Sequence, residues 1–274
     1  MQVQAEVVGN VLESAPGQLE MGEGVMVFQK TSQCCRCCCL QPNIDWTLHN
    51  YVDNWGKDDE LPVIANMKED APYVGRCCSY CYPGARKTTY EVRAGSSEAG
   101  PVAFRHEKAW TMPVCCLIMV SDNGPVRVPC CCCLPYIETI DGNGQMLGRS
   151  EYICDMWLCV PKYDLKDKNG TRMYRVRPET CCGGCCIKCK CDGKKGKCCR
   201  VPFLVRQPDP PYAQVGDAAI QDLWAGMANE CCTQREMYQV KFPQDLNQKD
   251  PDAIKKTLTG MTLLVDITVN EQDS

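Results

Sequence analysis

Short segments in which apolar and polar positions partly alternate recur along the chain, and they are rich in β-branched and aromatic residues. A period of two is typical of half-buried strands. Turn signals separate some of these segments, because residues 141–144 (DGNG) and 169–170 (NG) tolerate the positive φ that tight hairpins require. The pattern predicts strands at 87–95, 116–124, 136–140, 162–166, 173–177 and 202–206.

Helical periodicity is scarce, and only residues 217–229 and 252–269 are candidates for helices of more than two turns. The last apolar stretch, 257–269, contains Asp266 and many β-branched residues, so helix and strand both stay open. As a helix it would span roughly 20 Å, less than the roughly 30 Å of a bilayer core. We therefore interpret it as a buried core element of one antiparallel β-rich domain, either a barrel or a sandwich.

Cysteine is the unusual feature of the composition, with 26 Cys and only two His in 274 residues. The cysteines come in bursts between the strand-like segments. Residues 1–24 show no basic segment followed by an apolar run, so we expect no signal peptide and a reducing compartment. Disulfides are then the least expected use of these thiols.

Charge and motifs exclude several classes of function. The net charge of −4 and the pI of about 5.4 disfavour bulk nucleic acid as a partner. The chain has no Gly-rich phosphate loop and no nucleophile elbow, and its only imidazoles are His49 and His106. We expect both histidines to be ordinary strand residues, and we expect no conventional active site.

Four adjacent cysteines stand between Pro129 and Pro135. They cannot all face one core, and exposed thiols in a loop near a membrane are acceptors for acyl chains. Each buried methylene of such a chain adds about 0.8 kcal/mol to membrane binding, and several chains would give a stable anchor. The alternative is a loop of small hydrophobic residues. The candidate lipidation residues are Cys130, Cys131, Cys132 and Cys133.

A second cysteine-rich segment, 181–199, contains nested Cys-x-x-Cys spacings with a Gly pair between them. Thiolates at this spacing converge on tetrahedral zinc, and glycines permit the tight turn. Uncoordinated or acylated thiols are the alternative, since doubled cysteines create such spacings by accident. The candidate zinc ligands are Cys182, Cys185, Cys186 and Cys189.

The same segment is basic. A cluster of lysines beside acylated cysteines would be attracted to anionic lipid by about 1 kcal/mol per basic residue near the surface. A solvated loop is the alternative, and RNA contact is disfavoured because no aromatic residue interleaves the lysines. The candidate anionic-lipid patch comprises Lys188, Lys190, Lys194, Lys195, Lys197 and Arg200.

The order of these features resembles the phospholipid scramblases, a family of the tubby-like superfamily, over about residues 75–271. The Phe-Pro-x-Asp-Leu segment and the Leu-x-Asp step in the apolar tail are the most specific features. The matching segments are CCSYC (77–81), CLIMVSDNG (116–124), CCCCLPYIETI (130–140), GNGQMLGRSEY (142–152), KYDLKDKNG (162–170), CCGGCC (181–186), GDAAIQDLWAG (216–226), VKFPQDL (240–246) and LLVDITVNE (263–271).

The resemblance implies a roughly twelve-stranded β-barrel closed around a C-terminal helix, with residues 1–23 as an extension and 24–274 as the barrel domain. It implies ATP-independent movement of phospholipids at the cytoplasmic face of the plasma membrane or a related membrane, with acylation at Cys130–Cys133. Protein partners or a homo-oligomer would complete the assembly. The alternative is a lipid-anchored or cytoskeletal scaffold that has lost calcium-activated scrambling.

The chain departs from the family at the acidic calcium segment, which precedes Phe-Pro and here reads QREMYQVK (234–241). Only Glu236 and Asp245 remain as oxygen ligands, whereas calcium takes about six to eight. Gln239 also stands where the sharp turn needs glycine. We therefore expect no strong calcium site.

Overall fold

The computed structural model describes residues 19–30, 43–53, 55, 60–72, 86–111, 134–153, 160–181, 186–191, 199–223, 236–246 and 250–270. It also describes the strand backbone at 114–121 and 124–129. The strands are β1 (Gly24–Gln29), β2 (Asp45–Asn50), β3 (Val63–Asp70), β4 (Thr88–Ala94), β5 (Val102–Lys108), β6 (Val114–Ser121), β7 (Gly124–Pro129), β8 (Tyr136–Asp141), β9 (Met146–Ile153), β10 (Lys162–Asp167), β11 (Arg172–Pro178), β12 (Thr180–Cys181), β13 (Cys186–Ile187), β14 (Arg200–Arg206), β15 (Gln214–Leu223) and β16 (Met237–Lys241).

Twelve of these strands close into one antiparallel barrel, in the order β1-β16-β15-β14-β11-β10-β9-β8-β5-β4-β3-β2. The barrel that the family resemblance implied is thereby confirmed, and the sandwich is excluded. The other strands form two hairpins outside the barrel, β6 with β7 and β12 with β13. Each hairpin is inserted between two strands that pair directly with each other, β5 with β8 and β11 with β14.

The two predicted hairpin turns are confirmed and have the same hydrogen-bond pattern. In the first turn, Asp141 Oδ1 accepts hydrogen bonds from the backbone N–H groups of Asn143 and Gln145, at 2.9 and 2.8 Å. Asp167 does the same in the second turn. Gly144 has a φ of +85°, which a side chain would make costly. The local chemistry of Asp and Gly therefore sets the register of β8–β9 and β10–β11.

The apolar tail forms helix α1 (Pro251–Val265), followed by a π-helical turn (Asp266–Asn270). Asp250 caps its N-terminus through a 3.2 Å hydrogen bond from the Ala253 N–H, and Pro251 occupies the first turn without losing a hydrogen bond. From Leu258 to Val265 every residue is buried. The helix is buried on all sides because it fills the barrel.

One sequence-based expectation is wrong. Residues 217–229 were a helix candidate, but residues through Leu223 belong to β15. The apolar residues Ile220, Leu223, Trp224 and Met227 have the spacing of one helix face, which explains the wrong prediction. Pairing with β14 and β16 decides the outcome, because only a strand here closes the barrel.

Candidate functional site

All 26 cysteines of the sequence belong to connections that attach to the barrel at one end, which we call the cysteine end. The strands alternate in direction around an antiparallel barrel, so every second connection returns at the same end. The connections at the opposite end contain no cysteine. Helix α1 begins at that opposite end and its last turn reaches the cysteine end. The cysteine-end connections are residues 30–44, 71–87, 109–135, 154–161, 179–199 and 224–236.

The two sets of connections also differ in charge along the sequence. The cysteine-end connections carry twelve Lys and Arg and six Asp and Glu. The connections of the opposite end together with residues 1–23 carry twelve acidic residues and three lysines. The separation is not complete among the described residues, because Lys30 of the first set lies 2.6 Å from Glu98 of the second, and Arg86 is buried in an ion pair with Glu69. The cysteine-end connections are therefore basic and rich in thiols in sequence, and the others are acidic and free of thiols.

The lipidation candidates Cys130–Cys133 lie outside the described residues, but the strands around them fix where they attach. Lys108 of β5 is in register with Ile137 of β8, so residues 109–135 leave and re-enter the barrel at one point. Trp110, at the base of this excursion, is 60% exposed. Tryptophan favours membrane–water interfaces. Sequence reasoning missed Trp110, although a tryptophan beside cysteines in an inserted segment was a usable signal.

The described members of the predicted anionic-lipid patch are partly neutralised. Lys188 Nζ lies 3.2 Å from Glu179 Oε1, and Lys190 Nζ bonds the other carboxylate oxygen. The hydrogen bond from Lys190 lowers the pKa of Glu179, so the carboxylate stays charged. Arg200 Nη1 donates a 2.7 Å hydrogen bond to Gln221. The remaining members, Lys194, Lys195 and Lys197, lie outside the described residues.

Three thiols meet next to this ion pair. The Sγ atoms of Cys189, Cys191 and Cys199 all lie within 4.8 Å of one another. Of the four predicted zinc ligands, only Cys189 belongs to this cluster. Cys186 instead lies opposite Cys181 on the β12–β13 hairpin, and Cys182 and Cys185 lie outside the described residues. Sequence reasoning missed Cys191 and Cys199, although a Cys-x-Cys pair before a distant cysteine was a usable signal.

The two residues of the calcium segment lie apart. Glu236 precedes β16 at the cysteine end, whereas Asp245 follows β16 at the opposite end. The strand between them spans about 17 Å at 3.4 Å per residue. The carboxylate of Asp245 is already bonded, because Tyr174 Oη donates to Oδ1 at 2.7 Å and Gln207 Nε2 donates to Oδ2 at 3.2 Å. The structure therefore does not bring these two acids into one site.

The chain is thus an antiparallel β-barrel filled by its own C-terminal helix, with basic, cysteine-rich connections attached at one end. The model of the scramblase family matches residues 117–272, which is more than half of the chain, and the chain belongs to that family. Within the described ranges, no helix combines the length and hydrophobicity that crossing a bilayer requires.

Curated relatives agree with the family match. Phospholipid scramblase 2 of Bos taurus is 28% identical over 152 residues, which cover 54% of this chain and 44% of the relative. Human phospholipid scramblase 1 is 27% identical over 152 residues, which cover 54% of this chain and 41% of the relative. The chain thus spans less than half the length of these relatives. No solved structure was found to match it.

Proposed function

We propose that this chain moves phospholipids between membrane leaflets without ATP, and that it works at the cytoplasmic face of the plasma membrane or a related membrane. Membership of the scramblase family supports the activity. So do relatives whose names are phospholipid scramblase. The side facing the membrane is the cysteine end.

The attachment of every cysteine-bearing connection at one barrel end carries this proposal. Thioester-linked acyl chains on Cys130–Cys133 would insert into the bilayer, and the excess of lysine and arginine at that end would attract anionic headgroups. Exposed Trp110, which belongs to the same connection, adds an aromatic side chain that favours the membrane–water interface. The acidic opposite end would face away from the anionic surface.

Lipids pass around the barrel rather than through it. Helix α1 fills the lumen, and Leu258, Met261 and Leu264 are fully buried there. A lipid headgroup has no space along that axis. We therefore place the lipid path at the outer surface, where acyl chains and a homo-oligomer or protein partner would thin the bilayer locally.

Scrambling is not expected to require calcium through Glu236 and Asp245. Those two acids lie at opposite ends of β16, and both oxygens of Asp245 accept hydrogen bonds within the protein. A calcium site needs about six to eight converging oxygens. The same observation favours the second candidate function, a lipid-anchored or cytoskeletal scaffold that has lost calcium-activated scrambling.

Reconstitution separates the two candidates. Acylated protein is inserted into vesicles that contain fluorescent phospholipid in both leaflets, and a membrane-impermeant quencher then reports exchange between the leaflets. Exchange that is equal with calcium and with a chelator supports a calcium-independent scramblase. If no exchange occurs in either condition, the scrambling activity is contradicted and the scaffold remains as the candidate function.

The anchor is tested on its own. Intact mass before and after hydroxylamine counts the thioesters, and membrane fractionation follows the protein in cells. Replacing Cys130–Cys133 with serine should release the protein from membranes, whereas the control Cys231→Ser/Cys232→Ser should stay bound. Membrane association that is unchanged in the first variant would remove the acyl anchor from the proposal.

A further inference from the structure

Backbone register places three cysteines on one face of an irregular ladder beside the β12–β13 hairpin. The N–H and C=O groups of Lys190 and Arg200 exchange two hydrogen bonds, at 2.9 and 3.0 Å. In an antiparallel pair, the next residues, Cys191 and Cys199, then stand directly opposite each other. They form a non-hydrogen-bonded pair, in which side chains approach most closely. Cys189 precedes Cys191 by two residues and so points to the same face.

The side-chain positions agree with this register. Cys191 Sγ lies 3.2 Å from Cys199 Sγ, and Cys189 Sγ lies within 4.8 Å of both. Sulfur atoms that share one tetrahedral zinc at 2.3 Å lie about 3.8 Å apart. The three thiols therefore need only small adjustments to reach one metal ion.

We propose that Cys189, Cys191 and Cys199 bind one zinc ion through three thiolates, a site independent of lipid transport. Soft thiolate ligands select zinc over calcium and magnesium. Binding releases the three thiol protons to solvent. Because Cys189 and Cys191 are exposed, the fourth position of the tetrahedron is open to a further ligand.

The ion would join both ends of a basic segment. Residues 192–198 stand between Cys191 and Cys199 in the sequence and include three lysines of the anionic-lipid patch. Metal binding would hold Cys191 and Cys199 together next to the Lys190–Glu179 ion pair. Zinc therefore acts on the two described residues that flank these lysines in the sequence.

The test uses the full chain, purified with reductant and loaded with zinc or with cobalt as a spectroscopic substitute. Metal analysis gives the number of ions per chain, and the visible d–d bands of Co²⁺ report tetrahedral thiolate ligation. Cys191→Ser and Cys199→Ser should each lose one bound ion relative to the parent or weaken its binding about tenfold or more. Cys199→His, which retains a zinc ligand, should keep that ion.

The matched control is Cys186→Ser, an exposed cysteine of the same hairpin outside the cluster. It should keep the ion. Loss of the ion in Cys186→Ser, or its full retention in both Cys191→Ser and Cys199→Ser, would overturn the proposed ligand set. Absence of tight binding in the reduced parent would overturn the site itself.

Discussion

Tyr238 of β16 donates a 2.8 Å hydrogen bond from its hydroxyl to Asp266 Oδ1, just past the end of helix α1. Both residues are buried. An acid inside an otherwise apolar tail is expensive to bury unless its oxygens are bonded. Tyr238 in the barrel wall supplies that bond, so it stabilises the C-terminal helix inside the barrel.

Tyr238→Phe should therefore destabilise the fold by about 1–3 kcal/mol, since it removes a donor from a buried carboxyl group. The matched control is Tyr163→Phe, which removes a hydroxyl that bonds the neutral Thr268 at 2.6 Å. We expect the control to cost about 1 kcal/mol. Urea unfolding of both variants measures the difference, and an equal cost would contradict a special role for Asp266.

The close approach of helix α1 to the barrel wall makes a second prediction. A Cβ atom at Gly260 would lie 2.7 Å from His106 Nδ1 and 3.1 Å from Thr139 Oγ1. Gly260→Ala should destabilise the protein by about 1–3 kcal/mol through overpacking. Gly22→Ala is the control, because nothing lies within 4 Å of its Cβ position. Thermal unfolding distinguishes them, and equal melting temperatures would show that the helix shifts freely.

Much of the fold followed from local chemistry. The Asp and Gly residues of two turns predicted the hairpins, because those side chains and φ values act within a few residues. The length of the tail and Asp266 predicted a buried element. The prediction of a helix at 217–229 failed because the apolar spacing there fits a helix equally well. Pairing of β15 with β14 and β16 makes the segment through Leu223 a strand.

Less of the candidate site was predictable. Spacing alone suggested Cys182, Cys185, Cys186 and Cys189 as one ligand set, but spacing does not reveal which residues stand opposite each other. The bridge between Lys190 and Arg200 sets that register and groups Cys189 with Cys191 and Cys199. Likewise, the attachment of all cysteine-bearing connections at one barrel end depends on the alternation of strand directions around the closed barrel.

The stability of the fold should depend on pH through the protonation of His106. Complete burial lowers the pKa of His106 from 6.5 to about 3, so the unfolded chain takes up its proton first as the pH falls. Stability is then lost from about pH 6.5 downward to about pH 3, at up to about 1.4 kcal/mol per pH unit. Between pH 7 and pH 5 this amounts to about 2 kcal/mol.

His106→Gln should remove that part of the pH dependence in urea unfolding at pH 7 and pH 5. His49→Gln is the control, because His49 has a pKa that burial lowers in the same direction but keeps hydrogen bonds to the backbone carbonyl groups of Leu61 and Pro62. The control should retain the larger share of the loss. An unchanged loss between the two pH values in His106→Gln would contradict a buried neutral imidazole.

The charge difference between the barrel ends makes the sharpest prediction about membrane docking. Unacylated protein isolates the electrostatic part, and vesicles with and without phosphatidylserine measure it by co-sedimentation. Reversing three lysines at the cysteine end should weaken binding to anionic vesicles by at least about 3 kcal/mol, or about a hundredfold, because each basic residue near the surface contributes about 1 kcal/mol.

The matched control reverses three lysines at the opposite end and should bind almost as well as the parent. Equal weakening in both variants would show that net charge, and not the cysteine end, governs docking. The two variants are Lys194→Glu/Lys195→Glu/Lys197→Glu and Lys57→Glu/Lys168→Glu/Lys249→Glu.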